Sequence, residues 1–186
     1  ILGFGVYLIP DYDECKRAVL DALETGYRLI DTASAYFNEK AVGDAIKESG
    51  INRKELFITT KLWHTDSGYE KTKKGFEASM EKLQLDYLDL YLIHQPFGDY
   101  YGSWRAMEEL YENKKIRAIG VCNFYPDRFL DLVEHNKIVP AVNQIEIHPL
   151  FQREYDESIM KPYGTQMEAW SPLVRGEKIL DNETLK

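Results

Sequence analysis

Apolar residues along this chain gather in short continuous runs, and between the runs they recur every three or four positions. The first pattern predicts strands buried on both faces, and the second predicts amphipathic helices. Ile1 to Tyr7 (ILGFGVY) is the first run, with glycines that permit close backbone approach. Pro10 and Asp11 punctuate it. A helix follows with Cys15, Val19, Ala22 and Leu23 on one face and Gly26 as its stop. Tyr27 to Tyr36 (YRLIDTASAY) begins as a second strand through Tyr27, Leu29 and Ile30, then reaches Asp31, a small-residue loop and Tyr36. Glu39 to Ser49 is helical, with Val42, Ala45 and Ile46 inward and Gly50 ending it.

The alternation continues to the end of the chain. Leu56 to Leu62 is a third strand carrying Lys61 at its end, and Phe76, Met80 and Leu83 mark the next helix. Tyr87 to His94 is the fourth strand, with Pro96 beyond it, and Trp104, Met107, Leu110 and Tyr111 mark the fourth helix. Ile116 to Val121 runs into Cys122 and Asn123. The helix after it starts at Pro126, a favoured first-turn position, and buries Phe129, Leu132 and Val133. Ala141 to Ile147 is a sixth strand, Glu154 to Lys161 a less regular helix, Gln166 to Trp170 a seventh strand, and a further helix begins at Glu177. Strands separated by helices predict an α/β fold with a parallel sheet. Both a doubly wound sheet and a (β/α)8 barrel satisfy that pattern. The absence of GxGxxG after the first strand disfavours the former, because Gly3 and Gly5 lie within the strand. Polar residues closing nearly every strand favour the barrel, whose site is fed by all its strand ends. A complete barrel needs about 250 residues, so the expectation is a single domain over 1–186, an incomplete barrel truncated at both ends.

Composition narrows the function classes. The 186 residues are 44% hydrophobic, enough for one sizeable core, and carry a net charge of −8. That charge argues against nucleic acid or an anionic membrane as partner. The two cysteines, Cys15 and Cys122, are expected to be buried thiols in a reducing compartment, which points to the cytoplasm. No apolar run reaches membrane-spanning length, no leader opens the chain, and its start at Ile1 inside a strand suggests trimming.

The candidate chemistry lies at strand ends. On a barrel, Asp31, Lys61 and His94 converge from strands two, three and four, with Tyr36 on a loop between them. A phenol is a poor acid at neutral pH, with a free pKa of about 10. A nearby ammonium makes it a better proton donor, and a carboxylate can hold that ammonium charged and in place. A histidine across the mouth can orient a substrate oxygen. A polarised carbonyl awaiting a proton fits such a set, and a bound hydride donor would make the reaction carbonyl reduction.

With GFGVY, DTASAYFNE, ITTKLW, LDLYLIHQP, IGVCNF, VNQIEIHP and EAWSPL in this order, the sequence resembles the aldo-keto reductases over essentially its whole length. The similarity is greatest to the prostaglandin F synthase and diketogluconate reductase branch. It implies that Asp31, Tyr36, Lys61 and His94 are catalytic: Tyr36 as proton donor, Lys61 and Asp31 as its tuning pair, His94 as orienter. It also implies an extended nicotinamide dinucleotide held without a Rossmann fold. Asn123 and Gln144 would bond the carboxamide, Trp170 would stack on the ring, and Ser171 and Leu173 would lie along the pyrophosphate. Val6, Tyr7, Asp31 and Cys122 complete the implied cofactor contacts. Tyr7, Trp63, His94 and Gln95 would line the substrate pocket.

Three positions depart from the family pattern. Cys122 stands where the family usually has Ser, Trp170 where Tyr is also common, and Gln95 where a pocket Trp is frequent. The loop after the seventh strand is short between Leu173 and Glu177, and the segment for an adenosine 2′-phosphate would lie beyond Lys186. NADPH is therefore a family expectation, with NADH the alternative. The implied partner is a small carbonyl compound, and the implied state a monomer.

Other readings of the same residues are a Schiff-base lyase using Lys61 and a cofactor-binding regulatory subunit similar to channel β subunits. The intact four-residue set disfavours the latter. His148 reads as structural, and His64 and His135 as surface residues. No closely spaced His or carboxylate pair suggests a metal site.

Overall fold

The computed structural model describes residues 2–176, 179 and 181–184. Among the described residues, seven strands alternate with six α-helices, the succession of a (β/α)8 barrel with seven of its strands present. Backbone contacts group the chain into two compact units, residues 1–119 and 120–186.

The first unit contains β1 (Gly3–Gly5), α1 (Tyr12–Glu24), β2 (Leu29–Asp31), α2 (Glu39–Ser49), β3 (Phe57–Leu62), α3 (Tyr69–Leu83), β4 (Leu88–Ile93) and α4 (Tyr100–Glu112). Its four strands pair in parallel and in sequence order. All six residues of β4 are buried, as an apolar run between two packed faces requires. β1 is much shorter than its apolar run, because Tyr7 and Leu8 leave the strand in a turn closed by Ile9 N–H donating to Val6 O. Of its glycines, only Gly3 serves a close approach: a Cβ there would lie 2.5 Å from the Leu29 side chain, whereas one at Gly5 would meet nothing within 4 Å.

The second unit takes in the end of β5 (Ile116–Cys122), then α5 (Pro126–Glu134), β6 (Val142–Glu146), α6 (Glu154–Met160) and β7 (Gln166–Trp170). Here too the pairing is parallel, Cys122 lying opposite Gln144 and Gln144 opposite Glu168. The helix expected from Glu177 begins outside the described residues.

The periodicity places most of the core. Trp104, Phe129, Leu132 and both cysteines are buried, and Phe76 packs edge-on against Tyr91 with ring centroids 5.5 Å apart. Tyr111 lies in the fourth helix as expected but is exposed. It sits one position beyond Leu110, and the helix face has by then turned to solvent. Met80 and Val133 are only half-buried, and Ser79 takes the inward position beside Met80.

Two buried carboxylates staple the first unit. Asp89, fully buried at the start of β4, accepts from Arg53 at 2.6 Å, Arg117 at 2.8 Å and the Ile58 backbone N–H at 2.9 Å. Glu39, in the first turn of α2 where the helix dipole favours an anion, accepts from the Thr60 hydroxyl at 2.7 Å and lies 3.5 Å from Lys82 Nζ.

These environments separate two substitutions of the same ion cluster. Asp89→Ala takes the counter-charge from the half-buried Arg53 guanidinium, which keeps only the Leu56 and Tyr87 carbonyls, and leaves a strand N–H without that acceptor; it is expected to cost about 3–5 kcal/mol. Arg117→Ala removes the solvent-facing member and is expected to cost about 1 kcal/mol or less. Urea unfolding of the two variants checks the contrast, and equal losses contradict it.

Candidate active site

Strand register brings the first unit's polar residues together. Asp31 closes β2 and lies opposite Thr59 on β3. Lys61, two residues further along β3, shares Thr59's face and reaches diagonally back to Asp31. Its Nζ donates to Asp31 Oδ1 and, at 3.0 Å, to the Thr32 carbonyl. The Lys61 side chain is fully buried and that of Asp31 is 15% exposed. An ammonium removed from water requires such acceptors, since an unpaired buried charge costs several kcal/mol.

Tyr36 ends a short 3-10 turn, Ser34–Tyr36, which begins three residues after Asp31 closes β2. The Ser34 hydroxyl ties that turn to β3 by donating to the Lys61 carbonyl at 2.9 Å. Lys61 Nζ lies 5.1 Å from the Tyr36 ring centre. The Tyr36 ring meets His94 edge-on at 5.6 Å and Tyr7 at 5.0 Å. His94 follows β4 directly, its N–H extending the ladder to Leu62 O at 3.0 Å. Burial, and then the neighbouring Lys61 charge, push its imidazole down to about 3. His94 is therefore a neutral ring at physiological pH, able to offer a donor to a substrate oxygen without carrying a charge.

Trp63 continues this surface, its ring 5.1 Å from His94 and 4.6 Å from His64. His64 also faces the exposed Phe97 ring at 6.2 Å and is half-buried. This corrects the surface reading: one residue after β3, the chain turns back and lays the imidazole on Trp63. Gln95 is half-buried beside His94, and Tyr7 is exposed on the turn after β1. Val6 is fully buried, its N–H bonded to Asp31 O at 3.1 Å, so it offers a ligand no exposed side chain.

The remaining implied residues form a separate cluster in the second unit. Cys122 ends β5, and its thiol points at Gln144 Oε1, 3.9 Å away. Gln144 Nε2 donates to Glu168 Oε1 at 2.5 Å, and Asn123 Oδ1 accepts from the Trp170 indole at 3.0 Å. Asn123 and Ser171 both have left-handed backbones (φ 60° and 49°) at the points where β5 and β7 end. Trp170 is half-buried and Leu173 exposed. His148 lies 3.5 Å from Glu146 with an 11% exposed side chain, and His135 is exposed. Among the described residues, no group of three His, Cys, Asp or Glu side chains is placed to hold a metal, and no helix is long and apolar enough to cross a membrane.

Sequence reasoning overlooked Asn38, Thr32, Ser34 and Glu168, which bond to the residues it singled out or to their loops. Asn38 and Glu168 carried a signal: a polar group just before the predicted helix from Glu39 and another inside the predicted strand Gln166–Trp170.

A profile of the aldo/keto reductase family matches residues 2–178. The chain is 51% identical to a glyoxal reductase of Bacillus subtilis, the alignment covering 98% of this chain and 66% of that protein. It is 50% identical to a 9,11-endoperoxide prostaglandin H2 reductase of Trypanosoma cruzi, over 99% of this chain and 66% of that one. The chain thus spans about two thirds of the length of these curated relatives. Among solved structures it is similar to an aldo/keto reductase from Brucella melitensis, with TM-score 0.91, 44% identity and 95% and 70% of the two chains covered. It is also similar to a Bombyx mori aldo-keto reductase in complex with NADP, with TM-score 0.88, 36% identity and coverage of 92% and 62%.

The partly buried placement of His94 beside Lys61 has a direct consequence in solution. Ring-proton NMR is expected to show no His94 titration between about pH 5 and 8, and a transition near 6.5 contradicts the placement. An unfolded chain takes up this proton near pH 6.5, and the folded one only near 3. Stability from this group is therefore complete above about pH 6.5 and declines below it by up to ~1.4 kcal/mol per pH unit.

Proposed function

The chain belongs to the aldo/keto reductase family, and from that premise we propose that it takes part in reducing aldehydes and ketones to alcohols, with Tyr36 as the proton donor. The observation that carries this is the fully buried Lys61 ammonium, anchored by Asp31 and held 5.1 Å from the Tyr36 ring. A positive charge fixed there favours the phenolate left behind when the proton departs, so it lowers the cost of donation. Asp31 and the Thr32 carbonyl keep the lysine from turning away. His94, neutral and edge-on to Tyr36, binds the substrate oxygen and sets its line of approach. Tyr7 and Trp63 present flat apolar faces that exclude water from that oxygen.

The cofactor implied by the family is a nicotinamide dinucleotide, NADPH in preference to NADH. It supplies the hydride that the carbonyl carbon receives. The donor set in the second unit fits such a group: Asn123 and Gln144 are two side-chain amides of the kind a carboxamide pairs with, and Trp170 is a half-exposed indole suited to stacking. The Trp170–Asn123 bond fixes the indole plane, and Glu168 fixes the Gln144 amide. Ser171 and Leu173 continue from Trp170 as the pyrophosphate-facing segment.

A Schiff-base lyase is the less favoured reading. That chemistry needs a neutral, accessible amine, whereas Lys61 has no exposed surface and two acceptors on its Nζ. The unbroken family match across both units supports one domain. Two buried cysteines that form no disulfide among the described residues support a reducing, cytoplasmic setting. We take the protein as monomeric.

Tyr36→Phe keeps the ring and removes only the hydroxyl. It is expected to lower kcat/KM for small aldehydes by about 10²–10⁴-fold while leaving NADPH binding by fluorescence titration nearly unchanged. Near-normal turnover of Tyr36→Phe removes the donor assignment.

A further inference from the structure

Asn38 stands at the N-cap of α2, where an asparagine ordinarily turns its side chain onto the helix's first N–H groups. Here it makes no capping bond. Its amide is almost fully buried and bonds elsewhere: Nδ2 donates to Val6 O at 2.9 Å and to Ile9 O at 3.1 Å, and Oδ1 accepts from the Thr32 hydroxyl at 2.7 Å. The two carbonyls fix which end of the amide faces them, since an oxygen turned that way would meet only acceptors. Both donating positions are thus spent across one four-residue turn, about 30 residues earlier in the chain.

That turn is strained. Ile9 N–H donates to Val6 O, and Leu8, not glycine, takes the left-handed conformation at φ 65°. A residue with a Cβ holds this backbone only where its surroundings enforce it. Leu8 is 64% exposed, so its own side chain adds little packing. The residue before it, Tyr7, lays its ring 5.0 Å from that of Tyr36.

We propose that Asn38 is a positioning residue: its amide clamps the strained Val6–Ile9 turn and so holds Tyr7 against Tyr36. Thr32, on the stretch that leads to Tyr36, is bound by the same amide. One side chain therefore references the Tyr7 turn to the segment carrying the phenol. The proposal rests on the reductase reading for its effect on turnover, but the clamp itself does not.

Asn38→Asp tests it with almost no change of shape, because a carboxylate can still accept from Thr32 but cannot donate to either carbonyl. In the full protein, amide exchange at Ile9 is expected to accelerate at least tenfold in Asn38→Asp. Leu8→Gly removes the strain that the clamp opposes, since glycine adopts positive φ freely. Added to Asn38→Asp, it is expected to slow Ile9 exchange again by about fivefold or more. With NADPH and a small aldehyde, kcat/KM is expected to fall at least tenfold in Asn38→Asp and to recover at least threefold in the double variant, and thermal melts verify that both fold. Unchanged Ile9 exchange overturns the clamp. Accelerated exchange with kcat/KM within twofold of wild type, or no recovery on adding Leu8→Gly, overturns the positioning role. A wild-type protein without carbonyl reduction overturns the reductase reading instead, and the exchange comparison then decides the clamp alone.

Discussion

A cation with no access to water is the constraint on which the first unit's rim depends. Lys61 is fully buried, and its ammonium is tolerated only because Asp31 and the Thr32 carbonyl meet it. The pairing follows from strand register. Asp31 opposes Thr59, and the residue two further along β3 on the same face is Lys61. A slip of one residue would turn Lys61 to the opposite face and leave its charge unmatched. The same charge reaches beyond the pair: it adds to burial in keeping His94 neutral, and it stands over the Tyr36 ring. One buried charge thus reinforces the neutrality that burial imposes on the histidine and sets the surroundings of the phenol.

Buried polar side chains elsewhere in that unit divide by position along the strands. Asp89 binds Arg53, Arg117 and the Ile58 N–H where β4 begins. In a β/α barrel this end is concerned with stability, while the strands' C-terminal ends carry chemistry. Asn38 lies on the loop side, joining the residues after β1 to those after β2. The first group holds elements together, and the second holds loops to one another. An apolar residue could replace much of the packing at either place, but it could not satisfy the backbone carbonyls of a turn.

The second unit assembles its polar cluster differently. Its strands bring Cys122, Gln144 and Glu168 into adjacent register positions, and side-chain bonds run across the sheet from one to the next. Cys122 points a weak thiol donor at Gln144. The stronger Glu168 bond then dominates the orientation of that amide. Trp170 is likewise fixed by Asn123, whose left-handed backbone turns its side chain at the end of β5.

The sequence alone determined the α/β alternation, because apolar runs and helical periodicity are local signals. All seven strand assignments agree with the structure to within two residues at each end, and β7 matches at both ends. It also singled out Asp31, Tyr36, Lys61 and His94, since motif order along the chain carries residue identity. It overran β1, where a turn cuts short an apolar run, and it misjudged His64, whose burial depends on what lies opposite. Only the tertiary structure decided that Lys61 would be fully buried, that Asn38 would abandon helix capping for two distant carbonyls, and that Glu168 would hold Gln144. Each of these is a contact between residues more than 20 positions apart, fixed by strand register and loop closure, which no local pattern encodes.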